Sequence, residues 1–391
     1  MVEEETKNLF FLSYIYVLYS SLYFGIFAII FKFFKNLNIQ LIVFPIIFVS
    51  IEVLRTQLFI AFPWNLFGYI LSNNVFLIKN IAYFGIYGLS YTLIILFLTP
   101  VLIFNIINKH NTKFNICYLL ITLILFIFVF LVNFSKKEKI DSELNIDVVL
   151  YQKNIKQVDK WDLNLIEKRF NQLVTFITDN SKNKNKTLIV FSETEIPYIL
   201  HDQDNLLKFL QNKLDSNTTL VIGGIRKSND LYFNSLYKID SNTINIFDKK
   251  KLVPFGEYIP LKEFFPFLNK LTYSESDFSK GKTIRSINLF NEFNFIPTIC
   301  YENIFFNEII DENNIKNDLI INITNDAWFG NYQGPYQHFY QSILRAKEFN
   351  KYMIRVSNNG ISAIVDPNGK VLLSTKLNEE VSVKYSLTIQ Q

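Results

Sequence analysis

Apolar residues run almost without interruption up to about residue 134, and from residue 140 they alternate with Lys, Asp, Glu and Asn. The first part holds four stretches, about 9–31, 39–60, 81–107 and 114–134, each near the roughly 20 apolar residues needed to cross a bilayer. They are expected to be helices, because in lipid only helices and closed barrels satisfy every backbone group. The second stretch carries Glu52 and Arg55 three apart on one face, where an ion pair turned toward other helices is expected. Between the second and third lies AFPWNLFGYILSNN, whose Trp64 and Tyr69 suit an interfacial loop. The loops at 32–38 and 108–113 carry Lys32, Lys35, Lys109, His110 and Lys113, while the N-terminus is acidic, so the positive-inside rule puts these loops in the cytoplasm and the large domain outside.

Beyond residue 140 the period changes. NIDVVLYQ, TLIVFSE, TLVIGGI, YFNSLYKID, NTINIFDK, FNFIPTIC and DLIINIT read as strands from their β-branched and aromatic content. Residues 163–180, 204–214, 302–311 and 337–350 have helical spacing, and Pro367-Asn368-Gly369 turns between two late strands. This alternation predicts an α/β domain whose sheets are covered by helices. The domains are therefore drawn at 1–138 and 139–391.

Composition narrows the function. Half of the 391 residues are hydrophobic, including 40 Phe and 21 Tyr, and the net charge of +4 is scattered rather than clustered. That scatter argues against a nucleic-acid partner. The two cysteines, Cys117 in an apolar run and Cys300 in a polar motif, exclude a disulfide framework. No His/Cys cluster has metal-ligand spacing, no glycine loop carries a phosphate fingerprint, and neither metal nor cofactor is expected. The start, MVEEETKNLF, shows no cleavable export signal.

Three strands end abruptly in polar residues, where layered α/β proteins gather their active sites. TLIVFSETEIPY delivers Glu193 and Glu195; either suits a general base if burial raises it toward neutrality, and either equally suits a helix cap. FDKKKLVPFGEYIP places Lys249, Lys250 and Lys251 before an apolar, turn-rich stretch. Lysine runs are usually solvated, but such a neighbour could hold one of them in a cleft. FIPTICYENIFF ends a strand at Cys300, with a helix starting near Glu302. A thiol there has backbone N–H groups near its sulfur, although a cysteine after an apolar strand is often only buried. His338, on an amphipathic helix, is the one histidine placed to be an activating base, and it suits packing or capping better than ligation.

Taken in order, these strand ends resemble the Glu-Lys-Cys triad of the nitrilase (carbon–nitrogen hydrolase) superfamily. LVPFGEY, ICYE, NDAWFG with GPYQH, and RVSNNGISA, together with the upstream FPWNLFGY and the YQKN…KWD segment at 151–162, resemble its integral membrane branch, the apolipoprotein N-acyltransferases, over roughly residues 40–375. The resemblance implies a multi-pass α-helical membrane domain followed by an α/β nitrilase-like αββα sandwich. It implies a base at Glu193, a lysine at Lys249 and a nucleophile at Cys300, supported by Glu257, Tyr301 and Glu302 around the site and by Trp328 near a lipid entrance. The implied reaction moves a fatty acyl group from a phospholipid, through a thioester on Cys300, to the α-amino group of a diacylglyceryl-cysteine at a lipoprotein's N-terminus. The implied setting is the bacterial inner membrane, with the catalytic domain on the periplasmic side and the chain monomeric. FSE replaces the family's usual Trp-Pro-Glu before the base. Four helices rather than about eight, and an end at VSVKYSLTIQQ with no closing apolar helix, mark a short or truncated member. A membrane-tethered amidase, in which water resolves the thioester, and a non-catalytic lipoprotein-binding relative are the alternatives.

Overall fold

A computed structural model of the chain describes residues 10–58, 61–132, 134, 143–157, 159–201, 204–260 and 277–390. The chain divides into two compact units, Glu3–Lys136 and Lys137–Gln391. The boundary expected at 138/139 lies outside the described residues.

The first unit is helical: α1 (Phe10–Lys32), α2 (Leu37–Gln57), α3 (Ile81–Phe97), α4 (Thr99–Ile107) and α5 (Thr112–Phe126). The segments Leu37–Gln57, Ile81–Ile107 and Thr112–Leu131 are long and apolar enough to cross a membrane, and Val17–Lys32 forms a shorter apolar stretch. Leu18, Leu22, Ile29, Phe97, Phe104, Ile107, Leu120 and Ile124 stand exposed, a surface suited to hydrocarbon rather than water. The Glu52–Arg55 expectation needs correcting. Glu52 accepts a hydrogen bond from the Phe67 N–H at 2.7 Å, and Arg55 donates to the Asn65 carbonyl at 2.9 Å. The Ser90 hydroxyl accepts from the Gly68 N–H at 2.8 Å. The two charges are not in ion-pair contact, and both serve the backbone of the 61–74 connection, because peptide groups there lack helix partners and have little water to replace them.

The second unit comprises β1 (Glu143–Gln152), α6 (Leu163–Ser181), β2 (Thr187–Val190), β3 (Ile199–His201), α7 (Asn205–Gln211), β4 (Thr218–Ser228), β5 (Leu231–Ile239), β6 (Ile244–Asp248), β7 (Ile287–Leu289), β8 (Phe293–Ile299), α8 (Phe306–Ile309), β9 (Leu319–Thr324), α9 (Gln333–Phe349), β10 (Tyr352–Ser357), β11 (Ala363–Val365), β12 (Val371–Ser374) and β13 (Val381–Gln390). One sheet has the order β13-β1-β2-β4-β5-β6, with β3 beside β4; the other runs β12-β11-β10-β9-β8-β7. Helices α6 and α7 lie against the first sheet and α9 against the second, while β1 meets β10 and β5 meets β8 between them. This is the αββα sandwich.

The reason lies in the strands. TLIV of β2 and LIINIT of β9 are buried at every position, as expected of parallel strands covered on both faces. Val149, Ile189, Leu220 and Ile222 pack with Leu173 and Ile177 of α6 and Leu207 and Leu210 of α7. Each such side chain contributes about 1.5–3 kcal/mol. Asp162 caps α6, accepting from the Asn164 N–H at 2.9 Å.

Two elements differ from expectation. Residues 302–311 are not one helix: a 3-10 turn, Cys300–Ile304, stops at Phe305 (φ −90°, ψ 69°) before the single turn of α8. Strand β4 runs past the TLVIGGI stretch to Ser228.

Candidate active site

Three strand ends converge. Strand β2 stops at Val190 and hands the chain to Ser192, Glu193, Thr194 and Glu195; β6 ends at Asp248, directly before Lys249; β8 ends at Ile299, directly before Cys300. Thr194 and Cys300 take left-handed backbone, φ 49° and 50°, a costly conformation for residues bearing a Cβ and one found where function demands it. Gly223 makes the first turn possible. A Cβ there would stand 2.5 Å from the Thr194 nitrogen and 2.7 Å from the Glu193 Cα. Its carbonyl accepts from the Glu195 N–H at 2.9 Å and the Ile196 N–H at 3.0 Å.

Glu193, Lys249 and Cys300 are all buried. The Lys249 ammonium lies 2.8 Å from Glu257 Oε1 and 3.5 Å from Glu193 Oε1. Asn234 of β5 joins the two carboxylates, its Nδ2 donating to Glu193 Oε1 at 2.7 Å and to Glu257 Oε1 at 2.9 Å. Glu257 Oε2 accepts from the Val253 N–H at 2.8 Å, so the LVPFGEY turn closes on its own glutamate. Among the described residues Glu193 Oε2 has no hydrogen-bond partner. It is a buried acceptor left open.

Burial works against the charge of Lys249, but Glu257 and Glu193 outweigh it and hold the ammonium above its usual range. Burial pushes the Cys300 thiol up to about 12, with Glu193 adding to the rise and Lys249 opposing it. At neutral pH the sulfur therefore keeps its proton until a base takes it.

Glu302 is saturated. Its Oε1 accepts from Arg285 Nη2 at 2.6 Å and from the N–H groups of Lys250 and Lys251 at 2.8 and 3.1 Å. Its Oε2 accepts from Arg285 Nη1 at 3.0 Å and the Ile299 N–H at 2.9 Å. One carboxylate thus ties the backbone after Lys249 to the backbone before Cys300. Tyr301 is buried and stands edge-on to Phe305, ring centres 4.8 Å apart. Trp328 lies apart from this cluster in character: 61 % exposed, on the 3-10 turn Asp326–Phe329.

His338 packs, as expected of it. Its Nδ1 is 2.8 Å from Asp326 Oδ1, and Arg355 Nη2 is 2.6 Å from Asp326 Oδ2, all three buried. Of the residues near the triad, Asn234, Arg285, Lys153 and Lys160 went unread in the sequence. The signals are a lone Asn interrupting YFNSLYKI, a lone Arg before β7 and, for Lys153 and Lys160, the YQKN…KWD segment, whose resemblance as a whole singles out neither lysine.

The arrangement suits acyl transfer: a thiol at a strained turn, a fixed ammonium beside it and an open carboxylate oxygen. The carbon-nitrogen hydrolase family model matches residues 150–386, and that of the apolipoprotein N-acyltransferase N-terminal domain matches residues 1–99. The apolipoprotein N-acyltransferase of Rickettsia typhi is 37% identical over 358 residues, covering 88% of this chain and 69% of its own length. That of Wigglesworthia glossinidia brevipalpis is 36% identical over 394 residues, covering 96% and 75%. Among solved structures, Saccharomyces cerevisiae Nit3, a member of branch 10 of the nitrilase superfamily, aligns with a TM-score of 0.48 at 18% identity, covering 65% of this chain and 93% of its own.

Proposed function

Because this chain belongs to the apolipoprotein N-acyltransferase family, we propose that it transfers a fatty acyl group from a phospholipid to the α-amino group of a lipoprotein's N-terminal diacylglyceryl-cysteine, by way of a thioester on Cys300. The observation that carries the mechanism is the buried cluster in which the Lys249 ammonium sits 3.5 Å from Glu193 and both act electrostatically on Cys300.

In the first half-reaction the Cys300 Sγ–H proton passes to Glu193, whose Oε2 is the open acceptor. The sulfur attacks the ester carbonyl of the phospholipid, and Lys249 stabilises the oxyanion. The C–O bond breaks, the glycerol oxygen takes the proton from Glu193, and a lysophospholipid leaves. In the second half-reaction the α-amine attacks the thioester and gives a proton to Glu193. The C–S bond breaks and the sulfur recovers that proton. Glu257 holds Lys249, Glu302 holds the two turns together, and Tyr301 packs beside the nucleophile.

The apolar helices supply a reason for membrane attachment, since both substrates are lipids. The exposed Trp328 suits contact with acyl chains at the entrance. The lysine-bearing loops at 32–38 and 108–113 support an orientation with the catalytic domain on the periplasmic side of the inner membrane, and a monomer suffices for this chemistry. The test supplies phospholipid vesicles and a synthetic diacylated lipopeptide to the purified chain. The peptide should gain the mass of one acyl chain on its amine, and Cys300→Ala should abolish the gain. Free fatty acid or ammonia released without an acylated peptide would instead mean that water is the acceptor.

A further inference from the structure

The residues around the triad form a closed set of charges with one member out of place. Glu195 accepts from Ser192 Oγ at 2.7 Å and lies 3.3 Å from the Lys153 ammonium. Glu257 and Glu193 share Lys249. Glu302 is held by Arg285, and Asp326 by Arg355 and His338. Of the lysines of the group, Lys153 and Lys249 each lie beside a carboxylate, whereas Lys160 does not. Its ammonium is buried in the KWD segment, donates to the Glu193 carbonyl at 2.9 Å, and has no ion-pair partner among the described residues.

Three carboxylates, Glu193, Glu195 and Glu257, thus face three ammonium groups, Lys153, Lys160 and Lys249, and the set is neutral while the sulfur carries its proton. Loss of the Cys300 proton to solvent, rather than to Glu193, would leave the pocket with a net anion in a low-dielectric setting, where an uncompensated charge is costly. Removing Lys160 would double that imbalance. We propose that Lys160 is a positioning residue of the reaction: it fixes the turn carrying Glu193 and supplies the one ammonium not already committed to a carboxylate, so that the Cys300 sulfur can bear negative charge. This rests on the reading of Cys300 as nucleophile. The groups acting on Cys300 are Glu193, Lys249, Asp326 and the Thr324 hydroxyl, and those acting on Lys160 are Glu193, Glu195, Cys300 and Arg169. The Cys300 thiolate favours the charged form of Lys160 that burial disfavours.

The experiment measures iodoacetamide labelling of Cys300 across pH 7–10 in the full chain, without lipid, using peptide-resolved mass spectrometry to separate Cys300 from Cys117. Lys160→Gln keeps a hydrogen-bond donor for the Glu193 carbonyl but removes the charge. It should move the labelling profile upward by about one pH unit, making labelling about tenfold slower at a given pH. Lys160→Arg should stay within about threefold of the parent. A folded K160Q with the parent profile overturns the proposal. If K160Q does not fold, K160R decides: an unchanged profile supports the proposal, and an upward shift as large as a unit overturns it. Because no acyl donor or acceptor is present, failure of acyl transfer leaves this result standing.

Discussion

Arg285 grips both oxygens of Glu302, Nη2 to Oε1 at 2.6 Å and Nη1 to Oε2 at 3.0 Å, in a place where neither side chain touches water. Removing one partner strands the other charge, a loss of about 3–5 kcal/mol. Glu302→Gln and Arg285→Met should each lower the melting temperature of the detergent-purified chain sharply. The double variant Arg285→Met/Glu302→Leu should lose less than the sum of the single losses, recovering only the part due to the stranded charge, because it also leaves the N–H groups of Lys250, Lys251 and Ile299 without their acceptor. Additive losses would show that the pair acts through separate contacts.

The same pair gives stability a dependence on acid. Burial alone would raise the Glu302 carboxyl, but Arg285 reverses this and holds it below its usual value. Its contribution is therefore present above the unfolded value of about 4.3 and is lost as pH falls through the depressed folded one. Asp326, held low by Arg355 and His338 against its own burial, adds to the same window. Melting temperature should fall steeply below about pH 4 in the parent chain and less steeply in the Arg285→Met/Glu302→Leu variant. Parallel curves would exclude the linkage.

Asn234 lies between two carboxylates that repel each other. Asn234→Leu keeps the volume and removes both donated hydrogen bonds, leaving Glu193 and Glu257 short of donors at a cost of about 1–3 kcal/mol. Acyl transfer should fall roughly 10- to 100-fold while the far-ultraviolet circular dichroism stays the same. An unchanged rate would mean that Lys249 alone orients both acids.

With its thiol pushed up to about 12, Cys300 in the unliganded chain should label with iodoacetamide about tenfold faster for each pH unit between 7 and 10. A plateau near the ordinary thiol range would show that the resting sulfur is already ionised.

Trp328 is exposed, so its truncation should cost stability no more than about 0.5 kcal/mol. Trp328→Ala should nevertheless slow acylation from vesicle-borne phospholipid several-fold and leave iodoacetamide labelling of Cys300 as it was. Slowing of both would place the residue in the support of the nucleophile instead.

The strands and their polar ends were legible because burial on two faces demands unbroken apolar runs such as TLIV and LIINIT, and the break at SETE, DKKK or CYEN is visible against them. The choice of Glu193 over Glu195 was not legible from the residues alone. Both glutamates are buried beside a lysine and each keeps one carboxylate oxygen without a hydrogen bond among the described residues; only the fold shows that this oxygen of Glu195 lies 3.3 Å from the Lys153 ammonium, whereas Glu193 meets Lys249 through its other oxygen. Lys160 and Arg285 stayed hidden for a related reason: a lone charge in a polar segment looks solvated until distant strands close over it. The helix expected over 302–311 failed because the carboxylate of Glu302 turns back to the Ile299 N–H and fixes a tight turn in its place.

Strand β13 lies antiparallel to β1 along its whole length, from Glu143 opposite Gln390 to Gln152 opposite Val381. On the ribosome β1 emerges well before its mate β13. At about 5–20 residues per second, the β1 edge spends many seconds bare before the sheet can close. Each newly made chain thus passes through a window in which that edge is open to pairing with other strands. A stop codon shortly before Val381 would leave the triad residues translated but the sheet that carries them unfinished.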